Sequence, residues 1–312
     1  MSYSVELMNL PSHMRPWISI SPFNGSNMED IFDQKSQLID EIPAMQPEFW
    51  LNQGKCLNIL RSGRSALKQA LLTIGVSRND SVMIITTTGG TYVSSCVTKT
   101  IEEVCQWSHE LENNTKVVLL IHEFGFPCSL PDEIKDRDIS IIEDCAYAVG
   151  TRIEGGKIGF IGDFAIYSLT KYYPIPFGGV LVSRNQIDPD LIEDPLTVDA
   201  INFVMKCFIN SAMKYSEWNC RRRINWIYLS KQLRKNGLTE YFDLETTVVP
   251  GAFIASLPPA VNGSSTKDRC VSAGIESTEY YGQGGFYFPV HQCLTNFERD
   301  YILYHFLNLG AL

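Results

Sequence analysis

The stretch "IIEDCAYAVGTRIEGGKIGFIGDFAIYSLTKYYPIPFGGVLVS", residues 141–183, decides the fold. Its runs "FAIYSL" and "GGVLVS" are short, apolar, β-rich and bounded by Gly and Pro, a composition that suits strands of a sheet covered on both faces. One lysine, Lys171, stands between them and is followed by Pro174, Pro176 and the pair Gly178 and Gly179. That lysine is either a strand-end charge reaching solvent or a buried amine whose depressed pKa makes it a nucleophile toward carbonyls. The stretch opens with Glu143 and Asp144 closing an apolar run, where a carboxylate is costly unless it meets a cation or hydrogen bonds.

Outward from this stretch, strand and helix patterns alternate. "RSALKQALLTIG" has helical spacing and a stop signal at Gly75; "SVMIITT", "KVVLLI" and "ISIIED" read as buried strands; "YVSSCVTKTIEEVCQW" and "LPDEIKDR" read as helices. The alternation predicts an α/β fold, a mainly parallel central sheet flanked by helices. In such sheets ligands bind beyond the carboxyl ends of the strands, where Thr86 to Thr88, His122, Asp144 and Ser168 fall. After about Asn202 the pattern turns helical, then gives a strand-like "TTVVPGAFIASL", a loop rich in Ser, Gly and Asn, and a last helix "TNFERDYILYHFLNL". The expected organisation is an N-terminal arm over 1–55, a large domain over 56–205 and a smaller C-terminal α+β domain over 206–312.

Composition narrows the function. The chain has 312 residues, 45% of them hydrophobic, and a net charge of -9, with no basic block beyond "CRRR" at Cys220 to Arg223, which reads as a solvated helix face. A nucleic-acid partner is therefore not expected. No apolar run approaches the roughly 18 residues of a membrane span. The start lacks a basic region followed by an apolar core, so no signal peptide is read. The nine cysteines lack C-x-x-C or other zinc spacing and read as reduced thiols of a cytoplasmic protein, with no metal site. Dinucleotide, P-loop and G-x-S-x-G fingerprints are absent.

Three features carry chemistry. In "SGRSAL", Ser62 to Leu67, a glycine and small hydroxyl residues open a helix, which makes either an anion site holding phosphate at Gly63, Arg64 and Ser65 or a plain N-cap. Asp144 needs a partner, and Lys171 follows it by 27 positions, with Ser168 three before the lysine. Pyridoxal phosphate (PLP) unites the three: the lysine takes the aldehyde, the aspartate pairs with the pyridinium nitrogen, and the helix start with hydroxyls holds the phosphate.

At these residues the sequence resembles the DegT/DnrJ group of sugar-nucleotide aminotransferases, which have the aspartate-aminotransferase type of fold. "RSGRSALKQALLTIGVSRNDSVMI" looks like that family's S-G-T-x-A-L, helix and G-V-x-x-G-D-x-V; "TTTGGTYVSS" is similar to its P-x-x-T-[FW]-x-A-[ST]. "LLIHEFGFPCSLPDEI" resembles V-H-x-x-G-x-x-x-D-x-x-x-I, and residues 141–179 follow E-D-x-A-x-x-x-G through G-x-x-G-D-x-x-x-[FY]-S to the lysine and Gly-Gly. The closing "GIESTEYYGQGGFYFPVHQCLTNFERDYI" looks like G-I, a loop, l-P-x-H and L-T-x-x-E.

The resemblance implies a PLP-dependent aminotransferase, with Lys171 as the Schiff-base lysine and Asp144 as the pyridinium partner. It also implies an amino-acid donor, glutamate by resemblance, and a nucleotide-linked keto-sugar acceptor, in surface-polysaccharide or amino-sugar biosynthesis. Tyr92 takes the ring-stacking position, the alternative being a core aromatic at a helix start. Tyr147 stands where the family has Gln or His, Arg64 where it has Thr, and Phe177 where it has an acid. The segment G-Y-N-x-R, which reaches the neighbouring subunit's cofactor phosphate, is not found, although a homodimer is still implied. His122 and His291 are candidate substrate contacts, with structural roles as the alternative; Glu143 is read as structural. Two other classes stay open: a catalytically silent partner or regulator, and another PLP reaction such as sugar dehydration, whose enzymes typically replace the lysine with histidine.

Overall fold

The computed structural model describes residues 17–23, 56–153 and 156–307, so most of the expected arm lies outside the described residues. Strand β1 (Cys56–Leu60) precedes the first helix, α1 (Gly63–Ile74). Ser62 caps α1 by accepting from the Ser65 amide, and Gly75 ends it in the left-handed region. The chain continues through β2 (Ser81–Thr86), α2 (Ser95–Glu102), β3 (Gln106–Ser108), β4 (Thr115–Ile121), α3 (Asp132–Lys135) and β5 (Ser140–Asp144). A two-stranded pair, β6 (Arg152–Ile153) and β7 (Gly156–Lys157), leads to β8 (Phe164–Ser168) and β9 (Gly179–Ser183).

The apolar runs make one seven-stranded sheet in the order β1-β9-β8-β5-β4-β2-β3. The pairs β8–β5, β5–β4, β4–β2 and β2–β3 are parallel, and β9 runs antiparallel to both neighbours. Val82, Val117, Leu119, Ile142 and Leu181 are buried with Leu67 and Leu71 of α1 on one face. Ala165, Tyr167, Val180 and Val182 pack with Phe208 and Trp218 on another. Burial on both faces explains why these strands read as continuous apolar runs.

The rest comprises α4 (Val198–Ala212), α5 (Tyr215–Lys235), β10 (Phe253–Ser256), α6 (Gly263–Ser272), β11 (Thr278–Tyr280), β12 (Gly285–Phe288) and α7 (Asn296–Leu307). Antiparallel β10-β12-β11 form a second sheet over a core that includes Trp226, Phe253, Phe286 and Phe306. Three expectations are corrected here. The Ser-, Gly- and Asn-rich "loop" opens α6, because the Asn262 side chain accepts from the Ser265 amide at 3.0 Å and caps a helix. Only Phe253–Ser256 of "TTVVPGAFIASL" is a strand, since Pro250 offers no amide for pairing. The helix read from Tyr92 begins only at Ser95 and gives way to β3. Residues 17–23 dock on the second sheet, where Ile18 donates to Gly274 O at 3.1 Å and accepts from the Glu276 amide at 2.9 Å.

Candidate active site

Strands β4, β5 and β8 end at one cavity of about 650 Å³, which the loop after β2 joins at Tyr92. Lys171 lies in a 3-10 turn, Leu169–Lys171, directly after β8, and its side chain reaches that cavity. The turn is tied at both ends: Leu169 N donates to Gly178 O at 3.0 Å, and Gly178 N donates to Arg61 O at 2.9 Å. Gly178 has φ +113, and a Cβ on Gly179 would stand 2.2 Å from the Ser62 carbonyl carbon. The Gly-Gly pair is therefore what lets the Lys171 loop lie against the start of α1. Gly63, Arg64, Ser168 and Phe177 line the same cavity, while Ser65 turns its hydroxyl to Ser62 at 3.1 Å.

The Lys171 ammonium sits 5.0 Å from the centroid of the Tyr147 ring. Its pKa is raised, chiefly by its electrostatic interaction with the Tyr147 side chain, which outweighs the opposing effect of burial. This corrects the expectation of a depressed value: a partner for the cation stands beside it. Asp144 is buried, and burial raises its carboxyl pKa against one stabilising hydrogen bond from the Ala146 amide at 2.9 Å. That amide is its only hydrogen-bond partner among the described residues.

Glu143, next to it, points away from the cavity and is well supplied. It accepts from Gly159 N at 2.8 Å, Gly162 N at 2.7 Å and His122 Nε2 at 3.2 Å. These bonds, led by that from His122, hold its carboxyl below the usual range despite burial. The structural reading of Glu143 thus agrees with its contacts. His122 lines the cavity but uses both ring nitrogens elsewhere, since Nδ1 accepts from Cys128 N at 2.9 Å. Nε2 therefore carries the proton given to Glu143. His122, Glu143 and Cys145 lie close enough to suggest a metal cluster, yet the histidine and the carboxylate are already committed to these bonds.

Facing the lysine, the cavity has an aromatic wall built from the connections after β2 and β4 and from β11 and β12. Tyr92 meets Tyr280 edge-on with centroids 5.4 Å apart, and Phe124 meets Tyr280 at 5.3 Å and Tyr287 at 5.4 Å. Within it Glu123 accepts from Thr88 N and Oγ1, each at 2.9 Å, and from the Tyr280 hydroxyl. Phe124 holds φ +53, a non-glycine residue in the left-handed region beside the site. Glu123, Phe124, Tyr280 and Tyr287 escape a reading of the sequence, in which aromatics of the second half pass as core. Only the strand-end position of "HEFG" signals Glu123 and Phe124.

Two candidates lie elsewhere. His291 is buried outside the cavity lining, its Nδ1 accepting from Cys293 N at 3.2 Å, with burial pushing its pKa down to about 3. The "CRRR" run is not a uniformly solvated face: Arg222 is 1% exposed. Its spacing from Trp218, Asn225, Trp226 and Leu229 is helical and puts it on the buried side of α5.

Sheet order, flanking helices and a lysine-bearing cavity at the strand ends define the fold of PLP-dependent aminotransferases. A protein of Streptococcus pneumoniae assigned as a sugar aminotransferase superposes in its apo-form with a TM-score of 0.70 at 16% identity, covering 97% of this chain and 98% of that one. Its PLP-form gives 0.67. Residues 103–193 match the DegT/DnrJ/EryC1/StrS aminotransferase family model. Curated relatives include a GDP-perosamine synthase of Escherichia coli O157:H7, 29% identical over 143 residues, and one of Vibrio cholerae, 29% identical over 150 residues. Each match covers 40% of this chain and 39% of the relative, so the chain spans well under half the length of these proteins in alignment.

Proposed function

We propose that this protein is a PLP-dependent aminotransferase that moves an amino group from an amino acid, glutamate by resemblance, to a nucleotide-linked keto-sugar. The observation that carries the reading is the joint placement of Lys171 and Asp144 at one cavity, with Asp144 buried and short of partners. A protonated ring nitrogen would give that carboxylate both a charge partner and a donor. The start of α1, with Gly63 and Arg64, together with Ser168, would hold the phosphate, while Ser65 would brace the Ser62 cap behind it, and Tyr92 and Tyr147 would flank the ring. When bound, the cofactor supplies an aldehyde and an electron-accepting ring.

Lys171 would hold the aldehyde and, once displaced by the donor amine, take up and return the proton at the donor α-carbon through Nζ. The aromatic wall around Glu123 would exclude water and offer ring faces and a carboxylate to a sugar. His122 would orient β5 through Glu143 rather than touch substrate. The relatives named as synthases of GDP-perosamine favour a nucleotide sugar. A homodimer follows from the resemblance and from the prevalence of two-fold assemblies. A cytoplasmic setting accords with nine free thiols and with the lack, among the described residues, of a helix long and apolar enough to cross a membrane.

The test is direct. Purified protein mixed with PLP should turn yellow, borohydride should fix the label on Lys171, and Lys171→Ala should lose it. Because the free amine is held protonated by a raised pKa, labelling should speed up about tenfold per pH unit between pH 7 and 9. Glutamate should then bleach the yellow form to the pyridoxamine form, and a panel of keto-sugar nucleotides should reveal the acceptor. A protein that never takes up PLP would sink the reading.

A further inference from the structure

A wholly buried guanidinium with no carboxylate partner needs a reason, because desolvating a charge is costly unless every donor is used. Arg222 is such a group. It is 1% exposed, burial lowers its pKa to about 10, and no salt bridge reaches it among the described residues. Its donors go instead to neutral acceptors: Nε to Gln292 Oε1 at 2.7 Å, one terminal nitrogen to Pro250 O at 3.4 Å, and the other to Lys171 O at 2.8 Å. Gln292 turns its amide nitrogen to Tyr172 O at 2.8 Å, so consecutive backbone carbonyls at the lysine are gripped by a linked pair.

The same helix holds the next side chain. The Tyr172 ring lies under the Arg222 guanidinium at 4.8 Å, and its hydroxyl donates to Asn219 Oδ1 at 2.7 Å, one turn earlier on α5. Arg222 and Asn219 belong to α5, and Gln292 lies between β12 and α7. The grip on the lysine turn therefore comes from elements outside the seven-stranded sheet.

We propose that Arg222, with Gln292, is the positioning residue for Lys171: the pair fixes the 171–172 backbone so that the amine is aimed into the cavity. The proposal rests on the role given to Lys171 above. A glycine-tied turn is anchored on one side by Arg61 and Gly178, and the Arg222–Gln292 pair supplies the anchor on the other. A purely structural reading assigns the arginine to cohesion between the two halves and gives it no influence on the reactivity of one amine.

Two readouts on the full chain separate these readings. The first is the rate at which PLP and borohydride label Lys171, followed by peptide mass spectrometry. The second is hydrogen exchange of the Tyr172 and Tyr173 amides, both of which donate to Leu169 O, in protein without PLP. Arg222→Met should slow labelling about tenfold, the factor for one lost charge-assisted hydrogen bond, and speed exchange at those amides. Arg222→Lys keeps the cation but not the fork, and should recover part of both. Should Arg222→Met not fold, Gln292→Leu, which removes only the Tyr172 carbonyl's donor and one acceptor, decides on the same readouts. Wild-type labelling, or slowed labelling without faster exchange, overturns the proposal. If wild-type Lys171 takes no PLP, the functional reading falls, and exchange alone decides the clamp: faster in the variants supports it, unchanged overturns it.

Discussion

The wall that carries Lys171 and Asp144 is set mainly by backbone contacts, with the Arg222 and Gln292 side chains gripping it from behind, and the wall facing it is held by side chains. On the first, strand ends, a glycine pair pressed on Ser62 and amide bonds to carbonyls set the positions. On the second, Tyr92, Phe124, Tyr280 and Tyr287 touch ring to ring around the Glu123 carboxylate. Backbone cannot shift by a rotamer change, whereas rings can repack at modest cost. The lysine wall should therefore be brittle to small changes and common to many substrates, and the aromatic wall adaptable and the place where substrate choice resides.

The sharpest way to break this contrast is Gly179→Ala. One methyl would meet Ser62 backbone at 2.2 and 2.3 Å, and neither side can yield as a side chain would. We expect a loss of about 3 kcal/mol in urea unfolding, at the upper end of overpacking costs. PLP labelling of Lys171 should also vanish, because the start of α1 and the lysine loop must separate. Unaltered stability and labelling would show that the lysine wall is not held by this contact.

Tyr280→Phe probes the other wall. Its ring contacts with Phe124, Tyr92 and Tyr241 remain, and only the hydroxyl shared by Glu123 and Thr88 is removed. Loss of one hydrogen bond to a charged group should cost about 1.5 kcal/mol, while the rate of Lys171 labelling stays within about twofold. A tenfold fall in labelling would mean that the walls are one mechanical unit and that the contrast is false.

The same division explains which parts of the fold and the site are legible in the sequence. Lys171 and Asp144 stand out because strands buried on both faces leave few polar residues, so a charge at a strand end is conspicuous. Gly178 and Gly179 stand out for their conformational freedom. Tyr280 and Tyr287 look like any core aromatic, since their exposure to the cavity depends on how the three-stranded sheet meets the seven-stranded one. The raised pKa of Lys171 likewise depends on Tyr147 arriving from a different strand end. Arg222 is hidden by its neighbours: Arg221 and Arg223 make a basic run that reads as surface, and only the spacing to Trp218, Trp226 and Leu229 distinguishes it.

The smallest effect tests the seam behind the lysine wall, where His291 and Arg222 lie close enough that the guanidinium, after burial, is the next cause holding the imidazole neutral. The folded pKa of His291 is down to about 3, from an ordinary 6.5, so between those values the unfolded chain binds a proton that the folded one refuses. Stability therefore rises with pH across that window, is complete above the ordinary value and is lost as pH falls. Linkage from this one group amounts to about 0.7 kcal/mol between pH 7 and pH 6. The buried Asp144, whose raised pKa acts in the opposite direction, and Glu143, whose lowered pKa acts in the same direction at lower pH, are common to wild type and variant. The difference between wild type and His291→Asn in urea unfolding at the two pH values thus isolates the histidine. A difference of that size, with wild type losing more on acidification, marks the seam as dry and the Arg222 charge as buried in solution. Equal losses would mean that water reaches the seam, and a hydrated guanidinium would have no cause to grip the Lys171 carbonyl.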